Sequence, residues 1–280
     1  MATQYEKAER FRALHEGPGA FVIPNVWDGG SASVMAGLGF QALATSSSAC
    51  AATLGKLDGG ITRDEALAHA RLIVAVSALP VAADLENGFG DSPEVAAETI
   101  RLAAAAGLVG GSIEDASGDA RRPVYDHGHA VERVAAAVEA ARRLPFPFML
   151  TARAENFFHG RADLEDTIRR LQAFERVGAD VLFAGGLPDL EAVRTVCSAL
   201  KKPFNFMVGM RGKSFKLADL ERAGVRRVSL STSLYRAAMA AVQAAGREVT
   251  ETGTFGYVER IMRSDELDGF LRSAARPNPS

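Results

Sequence analysis

The sequence predicts one (β/α)8 barrel, the TIM-barrel fold, with extra helices at its C-terminal end. Short apolar runs alternate with amphipathic helical patterns along the chain, as expected for successive βα units. Eight such runs are present, and a length of 280 residues suits one barrel of this kind. No Pro-, Gly- or Ser-rich linker divides the chain. We therefore expect a single domain over residues 1–280, in which residues 254–280 form a C-terminal helical extension.

Glycines mark the points where predicted helices end and strands begin, because glycine fits the left-handed position that closes a helix. These glycines are Gly39, Gly107, Gly178 and Gly224. The apolar runs lie at residues 21–24, 42–45, 81–84, 110–114, 148–152, 181–184, 204–208 and 227–231. A doubly wound open sheet is the alternative, since it shows the same alternation of elements.

The C-terminal extension carries apolar residues that need a surface to cover. They are Val258, Ile261, Met262, Leu267, Phe270 and Leu271. That surface could belong to a second subunit, so we expect a homo-oligomer, either a dimer or a tetramer.

The overall charge excludes some classes of partner. The chain has 32 Lys and Arg against 34 Asp and Glu, which argues against nucleic acid or an anionic membrane surface. No apolar run reaches the ~18 residues of a membrane helix. Cys50 and Cys197 are too few for a disulfide framework. We expect a cytoplasmic protein that binds a small molecule.

Two acidic residues stand together at the end of the third predicted strand. Asp84 and Glu86 follow an apolar run and precede a glycine-rich turn. If the strand continues through both, alternation points the two carboxylates to the same side. Such a pair repels, and Mg²⁺, which prefers oxygen ligands, relieves the repulsion. Glu114 ends the fourth run in a matching setting. The alternative is that one acid merely caps a helix or forms a salt bridge.

Polar residues also follow the second predicted strand. Ser46, Ser47 and Ser48 offer backbone N–H groups to a carboxylate or phosphonate, although an ordinary polar loop is as good an interpretation. Asp58 lies in the long loop beyond them. Barrel enzymes place their sites at this end of the strands.

A basic residue and further polar residues complete the predicted rim. Arg153 and Glu155 follow the fifth run, and Asn205 lies in the seventh. Arg153 could bind substrate, pair with Glu114 or Glu155, or do both. None of the five histidines pairs at the spacing of a zinc site.

Together and in this order, these motifs resemble those of the isocitrate lyase/phosphoenolpyruvate mutase superfamily. The resemblance covers residues 21–234 and rests on segments 24–28, 45–48, 57–59, 84–90, 112–115 and 151–155. It implies a (β/α)8 barrel whose last helix is exchanged with a neighbouring subunit, usually in tetramers. It also implies a Mg²⁺ ion, for which Mn²⁺ could substitute, surrounded largely through waters by the residues Asp58, Asp84, Glu86 and Glu114.

The resemblance also implies roles for the other polar residues. Arg153 would stabilise the reacting oxyanion, and the amides of Ser46, Ser47 and Ser48 would hold an acidic group of the substrate. We take Arg153, Asp58 and Glu114 as candidate catalytic residues. The serines, Arg153 and Asn205 are the candidate substrate-binding residues.

Two features depart from the family pattern. Many members carry Asp where this chain has Glu86. The lyases that act on isocitrate and methylisocitrate carry a catalytic cysteine in the loop after the fourth strand, whereas residues 116–127 contain none. Those two activities are therefore not expected.

The expected function is Mg²⁺-dependent cleavage of a C–C bond in a small 2-oxo or 2-hydroxy di- or tricarboxylate, through an enolate. An alkylmalate-type compound or oxaloacetate is the favoured substrate. One alternative is C–P bond chemistry on phosphonopyruvate, as a mutase or a hydrolase. Another is a barrel of reduced activity that only binds 2-oxo acids.

Overall fold

Eight parallel strands form the barrel. A computed structural model describes residues 2–274 of the chain. The strands are β1 (Phe21–Ile23), β2 (Leu43–Ala44), β3 (Val81–Asp84), β4 (Gly110–Glu114), β5 (Met149–Ala154), β6 (Val181–Ala184), β7 (Phe204–Met207) and β8 (Arg227–Ser229). They pair in chain order from β2 to β8, and β1 pairs with β8. A parallel bridge from Asn25 to Ala44 links the two remaining edges, so the ring is nearly closed.

Helices surround the strands. They are α1 (Gln4–Glu16), α2 (Gly29–Gly37), α3 (Ser47–Thr53), α4 (Arg63–Val76), α5 (Pro93–Ala105), α6 (His127–Arg142), α7 (Leu164–Arg176), α8 (Leu190–Ser198), α9 (Leu217–Arg222), α10 (Ser233–Thr252) and α11 (Ser264–Ala274), with a 3₁₀ helix at Gly256–Arg260. Thr62 and Glu65 form a capping box at the start of α4. Gly107 and Gly178, with φ of 90° and 104°, let the chain turn from a helix into the next strand.

The main hydrophobic core lies between the sheet and the helices. Leu171 and Phe174 of α7 are both fully buried and sit one turn apart, as an amphipathic helix requires. The N-terminal end of the barrel is closed by α1, whose Phe11 packs against strand residues such as Met149. Glycine at position 110 permits this approach, because a Cβ there would lie 2.8 Å from the Phe11 ring.

The eight predicted strands are all present, and the barrel prediction is confirmed. The pairing of β1 with β8 excludes an open doubly wound sheet. One local prediction is wrong. Strand β3 ends at Asp84, and Glu86 lies beyond it in the left-handed region with φ of 49°. Strand alternation therefore does not bring Asp84 and Glu86 together; the turn after the strand does.

Helix α10 follows β8 and completes the eighth βα unit, and the 3₁₀ helix and α11 come after it. None of the residues of α10 is buried. Helix α11 packs against α2 of the same chain, and the Phe270 ring lies against Gly37. Exchange of the last helix between subunits therefore stays a prediction, and residues 275–280 of the predicted extension lie outside the described residues. Within residues 2–274, no helix combines the length and apolar character needed to cross a membrane.

Candidate active site

A cavity of about 1210 Å³ opens at the C-terminal ends of the strands. Eight of the predicted site residues border it, namely Ser46, Ser47, Ser48, Asp58, Asp84, Glu86, Glu114 and Arg153. The topology accounts for this, because the C-terminal ends of parallel strands meet at one rim of a barrel. Asn205, the remaining predicted residue, lies deeper.

Arg153 is surrounded by carboxylates. Its Nη1 atom is 2.8 Å from Asp84 Oδ1, its Nη2 atom 2.9 Å from Glu114 Oε2, and its Nε atom 2.9 Å from Glu155 Oε1. The strand register places Glu114 directly beside Arg153. The guanidinium also lies over the Phe183 ring, 4.8 Å from its centroid. These contacts fix the orientation of the arginine, and they confirm the predicted ion pairs.

The carboxylates determine the charge states at the rim. Burial works against the charge of Arg153, but Glu114, Glu155 and Asp84 more than offset it, so the pKa of Arg153 lies well above its ordinary value. Burial raises the pKa of Glu114 well above its ordinary value, although Arg153 acts in the opposite direction. The site thus places a cation beside a carboxyl group whose pKa is raised.

Glu86 is a rim carboxylate that Arg153 does not hold. Its Oε1 atom is buried without a hydrogen-bond partner in the described part of the chain. Burial and the negative charges of Asp84 and Asp58 raise the pKa of Glu86 to about 7. Both observations indicate that no cation among the described residues pairs with Glu86.

The rim carboxylates fit a hard divalent cation. Asp58, Asp84, Glu86 and Glu114 all supply oxygen donors to one cavity, and Mg²⁺ prefers such donors together with water. Among residues 2–274, no three His, Cys, Asp or Glu side chains lie close enough to hold an ion directly. Salt bridges hold the Asp84 and Glu114 carboxylates against the Arg153 guanidinium. The donor set therefore suits a cation held partly through water.

The serine segment forms the start of α3. The Ser46 hydroxyl caps the helix and accepts from the Ala49 N–H at 3.3 Å. Ser47 donates to Asp84 Oδ2 from its N–H at 3.1 Å and from its hydroxyl at 2.8 Å. Part of the anion-binding capacity predicted for this segment therefore holds Asp84 in place. Binding of substrate by the segment stays a prediction.

Asn205 lies inside the barrel and is 1% exposed. Its Oδ1 atom accepts from Arg227 Nε at 2.8 Å, and its Nδ2 atom donates to Ser229 Oγ at 3.0 Å. It borders a smaller interior cavity of about 100 Å³, which Asp84 and Arg153 also border. Because both ends of the amide already have partners, contact with substrate would require one of them to be released.

Some residues at the cavity were missed from the sequence. Arg63 at the start of α4 and Arg236 in α10 both border it. No motif marks them, since they belong to helices that only the barrel topology brings to the rim. Their positive charge was the property in the sequence that could have pointed to a site for an anionic ligand.

The fold and the site together define a barrel enzyme. Strand ends carry its polar residues to one rim, where a buried arginine lies among carboxylates. The chain belongs to the phosphoenolpyruvate phosphomutase family, whose model matches residues 11–250.

Similar proteins of known structure and sequence agree with this assignment. A putative lyase/mutase from Burkholderia cenocepacia J2315 is 50% identical, with a TM-score of 0.94 over 96% of each chain. The structure of 2,3-dimethylmalate lyase, a member of the PEP mutase/isocitrate lyase superfamily, is 29% identical, with a TM-score of 0.85 over 97% of this chain and 95% of that one. The probable 2-methylisocitrate lyase 1 of Corynebacterium glutamicum is 31% identical over 95% of this chain and 89% of its own.

Proposed function

We propose that the protein is a Mg²⁺-dependent lyase that cleaves a C–C bond in a small 2-oxo or 2-hydroxy di- or tricarboxylate through an enolate. The observation that carries this proposal is that Arg153, which three carboxylates fix in place, borders the same cavity as Glu86, whose Oε1 atom lacks a partner. One rim thus combines a fixed positive charge with oxygen donors for a metal. The relatives named dimethylmalate lyase and methylisocitrate lyase support cleavage of small carboxylates.

The metal would be held by Asp58, Asp84, Glu86 and Glu114, partly through water. Mg²⁺, or Mn²⁺ in its place, supplies Lewis-acid polarisation of the 2-oxo and carboxylate oxygens when bound.

The residues of the chain would contribute charge and proton transfer. Arg153 donates charge-assisted hydrogen bonds to the oxygen on which negative charge develops, and its ion pairs orient it beforehand. Asp58 and Glu114 accept and return the proton that bond cleavage displaces. Burial, which raises the pKa of Glu114, makes its protonated form more accessible than that of a free carboxyl group. The serine segment would hold the substrate carboxylate, and Asn205 would join it after its Nδ2 atom releases Ser229 Oγ.

The choice among substrates rests on the cysteines, because lyases that act on isocitrate and 2-methylisocitrate use a cysteine thiol as the acid. Residues 116–127 contain no cysteine. Within the described chain, neither Cys50 nor Cys197 borders the cavity, and burial raises their pKa values to about 11 and about 12. We therefore favour an alkylmalate or oxaloacetate over isocitrate and 2-methylisocitrate, despite the likeness to the Corynebacterium protein.

C–P bond chemistry on phosphonopyruvate is the second candidate. It is favoured by the matching family model, which is that of phosphoenolpyruvate phosphomutase. A phosphonate and a carboxylate would both accept hydrogen bonds from Arg153 and from the backbone N–H groups of the serine segment.

A substrate panel tests the proposal. The purified protein would be incubated with Mg²⁺ and 2-alkylmalates, oxaloacetate, 2-methylisocitrate or phosphonopyruvate, and the products followed by NMR. We expect C–C cleavage of an alkylmalate or of oxaloacetate. Turnover of phosphonopyruvate alone would support the second candidate, and binding without any turnover would indicate a barrel of reduced activity. Release of pyruvate and succinate from 2-methylisocitrate at roughly 1 s⁻¹ or more would show that another acid replaces the thiol.

We further propose that the protein is a homo-oligomer. Helix α10 runs for 20 residues without a buried position, and its Met239, Val242 and Val249 are exposed. Light scattering is expected to report a dimer or tetramer, and Val242→Asp is expected to lower that mass. A monomeric wild-type protein would contradict this proposal.

A further inference from the structure

The loop that carries Glu86 has an unfavourable backbone conformation. We call residues 85–92 the Glu86 loop. Within it, Glu86 and Phe89 have φ of 49° and 63°, and Gly88 has φ of 85°. Non-glycine residues in the left-handed region are strained and persist where their surroundings impose the conformation. The structure must therefore contain contacts that hold this loop.

Arg133 of α6 supplies many of these contacts. Its guanidinium donates to the backbone carbonyls of Asn87 and Asp91 and, at 2.7 Å, of Gly90. The residue is 1% exposed, and within the described residues it does not border the active-site cavity. A charged group this deeply buried is costly unless its donors are satisfied. The acceptors for the Nη1 and Nη2 atoms all belong to one loop, whereas Nε is buried without a partner among the described residues.

Tyr125 extends the same support. The Arg133 guanidinium lies over its ring, 4.5 Å from the centroid. The Tyr125 hydroxyl donates to Asp91 Oδ1 at 2.5 Å and accepts from Asn87 Nδ2 at 3.3 Å. We call Arg133 and Tyr125 the brace. Tyr125 ends the segment that follows β4, so the brace links the loops after two neighbouring strands.

The two carboxylate-bearing segments are also joined directly. The Glu114 N–H donates to the Glu86 carbonyl at 3.0 Å. Other groups fix the middle of the loop, since the Thr99 hydroxyl donates to the Gly88 carbonyl at 2.7 Å. The position of Glu86 therefore depends on hydrogen bonds to the backbone of its loop. Its own Oε1 atom has no partner among the described residues.

We propose that Arg133 is a positioning residue for the metal site. Together with Tyr125 it keeps the Glu86 loop in the conformation that places Glu86 at the border of the cavity, and it touches neither substrate nor metal. This inference rests on the proposed function. Groups that orient metal ligands from outside the coordination shell commonly change metal affinity by about 10–100-fold.

The test compares Arg133→Gln and Arg133→Lys with Arg143→Gln as a matched control. Arg143 lies at the end of the same helix, with an exposed side chain paired to Glu139. Mn²⁺ affinity would be measured by electron paramagnetic resonance, and hydrogen exchange of the amides in residues 86–91 by mass spectrometry without metal. We expect Arg133→Gln to weaken Mn²⁺ binding by about 10–100-fold and to speed exchange in this loop. Arg133→Lys should fall between, because it keeps the charge but has fewer donors.

Each outcome decides the proposal. A folded Arg133→Gln protein with wild-type Mn²⁺ affinity and wild-type exchange would overturn it. If the wild-type protein binds no Mn²⁺, the proposed metal site is wrong, and the exchange data alone decide whether the brace holds the loop. If Arg133→Gln does not fold, Tyr125→Phe replaces it. That variant keeps the ring and loses the hydroxyl contacts, and unchanged affinity and exchange in it would equally overturn the proposal.

Discussion

Arg153 and Arg227 border the same small interior cavity, yet their partners differ. Arg153 pairs with three carboxylates at the rim. Arg227 donates to Asn205 Oδ1 at 2.8 Å, to Thr151 Oγ1 at 2.8 Å and to His15 Nε2 at 3.3 Å. The carboxylates raise the pKa of Arg153, whereas burial lowers the pKa of Arg227 to about 9.

All three partners of Arg227 are neutral. Asn205 and Thr151 carry no charge, and the hydrogen bonds assign His15. Because the Phe11 carbonyl can only accept, His15 Nδ1 donates to it at 2.8 Å, which leaves Nε2 to accept from Arg227. The barrel therefore uses buried charge in two ways. At the rim, opposed charges are concentrated and face a ligand cavity. In the interior, one charge is surrounded by neutral dipoles that tie α1 to β5, β7 and β8.

The largest effect is expected from Arg153→Met. It removes the cation that holds Asp84, Glu114 and Glu155, together with the hydrogen bonds available to a developing oxyanion. Turnover of the identified substrate should fall about 10³-fold, while circular dichroism stays as in the wild type. Arg194→Met on the exposed face of α8 is the control. Activity close to that of the control would show that the rim arginine is not catalytic.

The interior is expected to respond to acid through His15. Burial, followed by the charge of Arg227, lowers the pKa of His15 to about 3, against about 6.5 in an unfolded chain. Below pH ~6.5 the unfolded state binds a proton that the folded state does not, so the free energy of unfolding decreases as pH falls towards 3. The loss by pH 5 should be about 2 kcal/mol. Urea denaturation between pH 5 and 8 measures it, and an identical pH slope in His15→Gln would contradict the assignment.

A smaller effect is expected from the loop at residues 116–127. Ser117 and Gly118 border the cavity, whereas the Arg121 side chain is 90% exposed and pairs with Asp119. Arg121 and Arg122 therefore act on an anionic substrate mainly at a distance. Arg121→Ala/Arg122→Ala should lower kcat/KM by less than about tenfold at low salt, with the deficit shrinking as salt screens the charges. The Mn²⁺ affinity should not change. An unaltered kcat/KM at low salt would show that this loop is a passive connector.

The sequence predicts most of the site residues at the strand ends, but few of the contacts that hold them in position. Asp84, Glu114 and Arg153 were recognisable because apolar runs reveal strands and barrel strands deliver their ends to one rim. The left-handed conformation of Glu86 was not predictable, because in a sequence glycine is the residue that indicates a positive φ. The partners of Arg133 and Arg227 were hidden for another reason. Arg133 reads as a polar position of a helix, and Arg227 meets His15 across 212 residues.

The proposed function requires the rim carboxylates to bind a divalent cation. The most direct test follows turnover of chelator-treated protein while Mg²⁺ is added back, with Asp84→Asn beside it and Asp119→Asn on an exposed loop as the control. We predict no turnover in chelator, saturable recovery in the wild type and the control, and recovery in Asp84→Asn only at much higher Mg²⁺ or not at all. Full turnover in the presence of chelator would contradict the account.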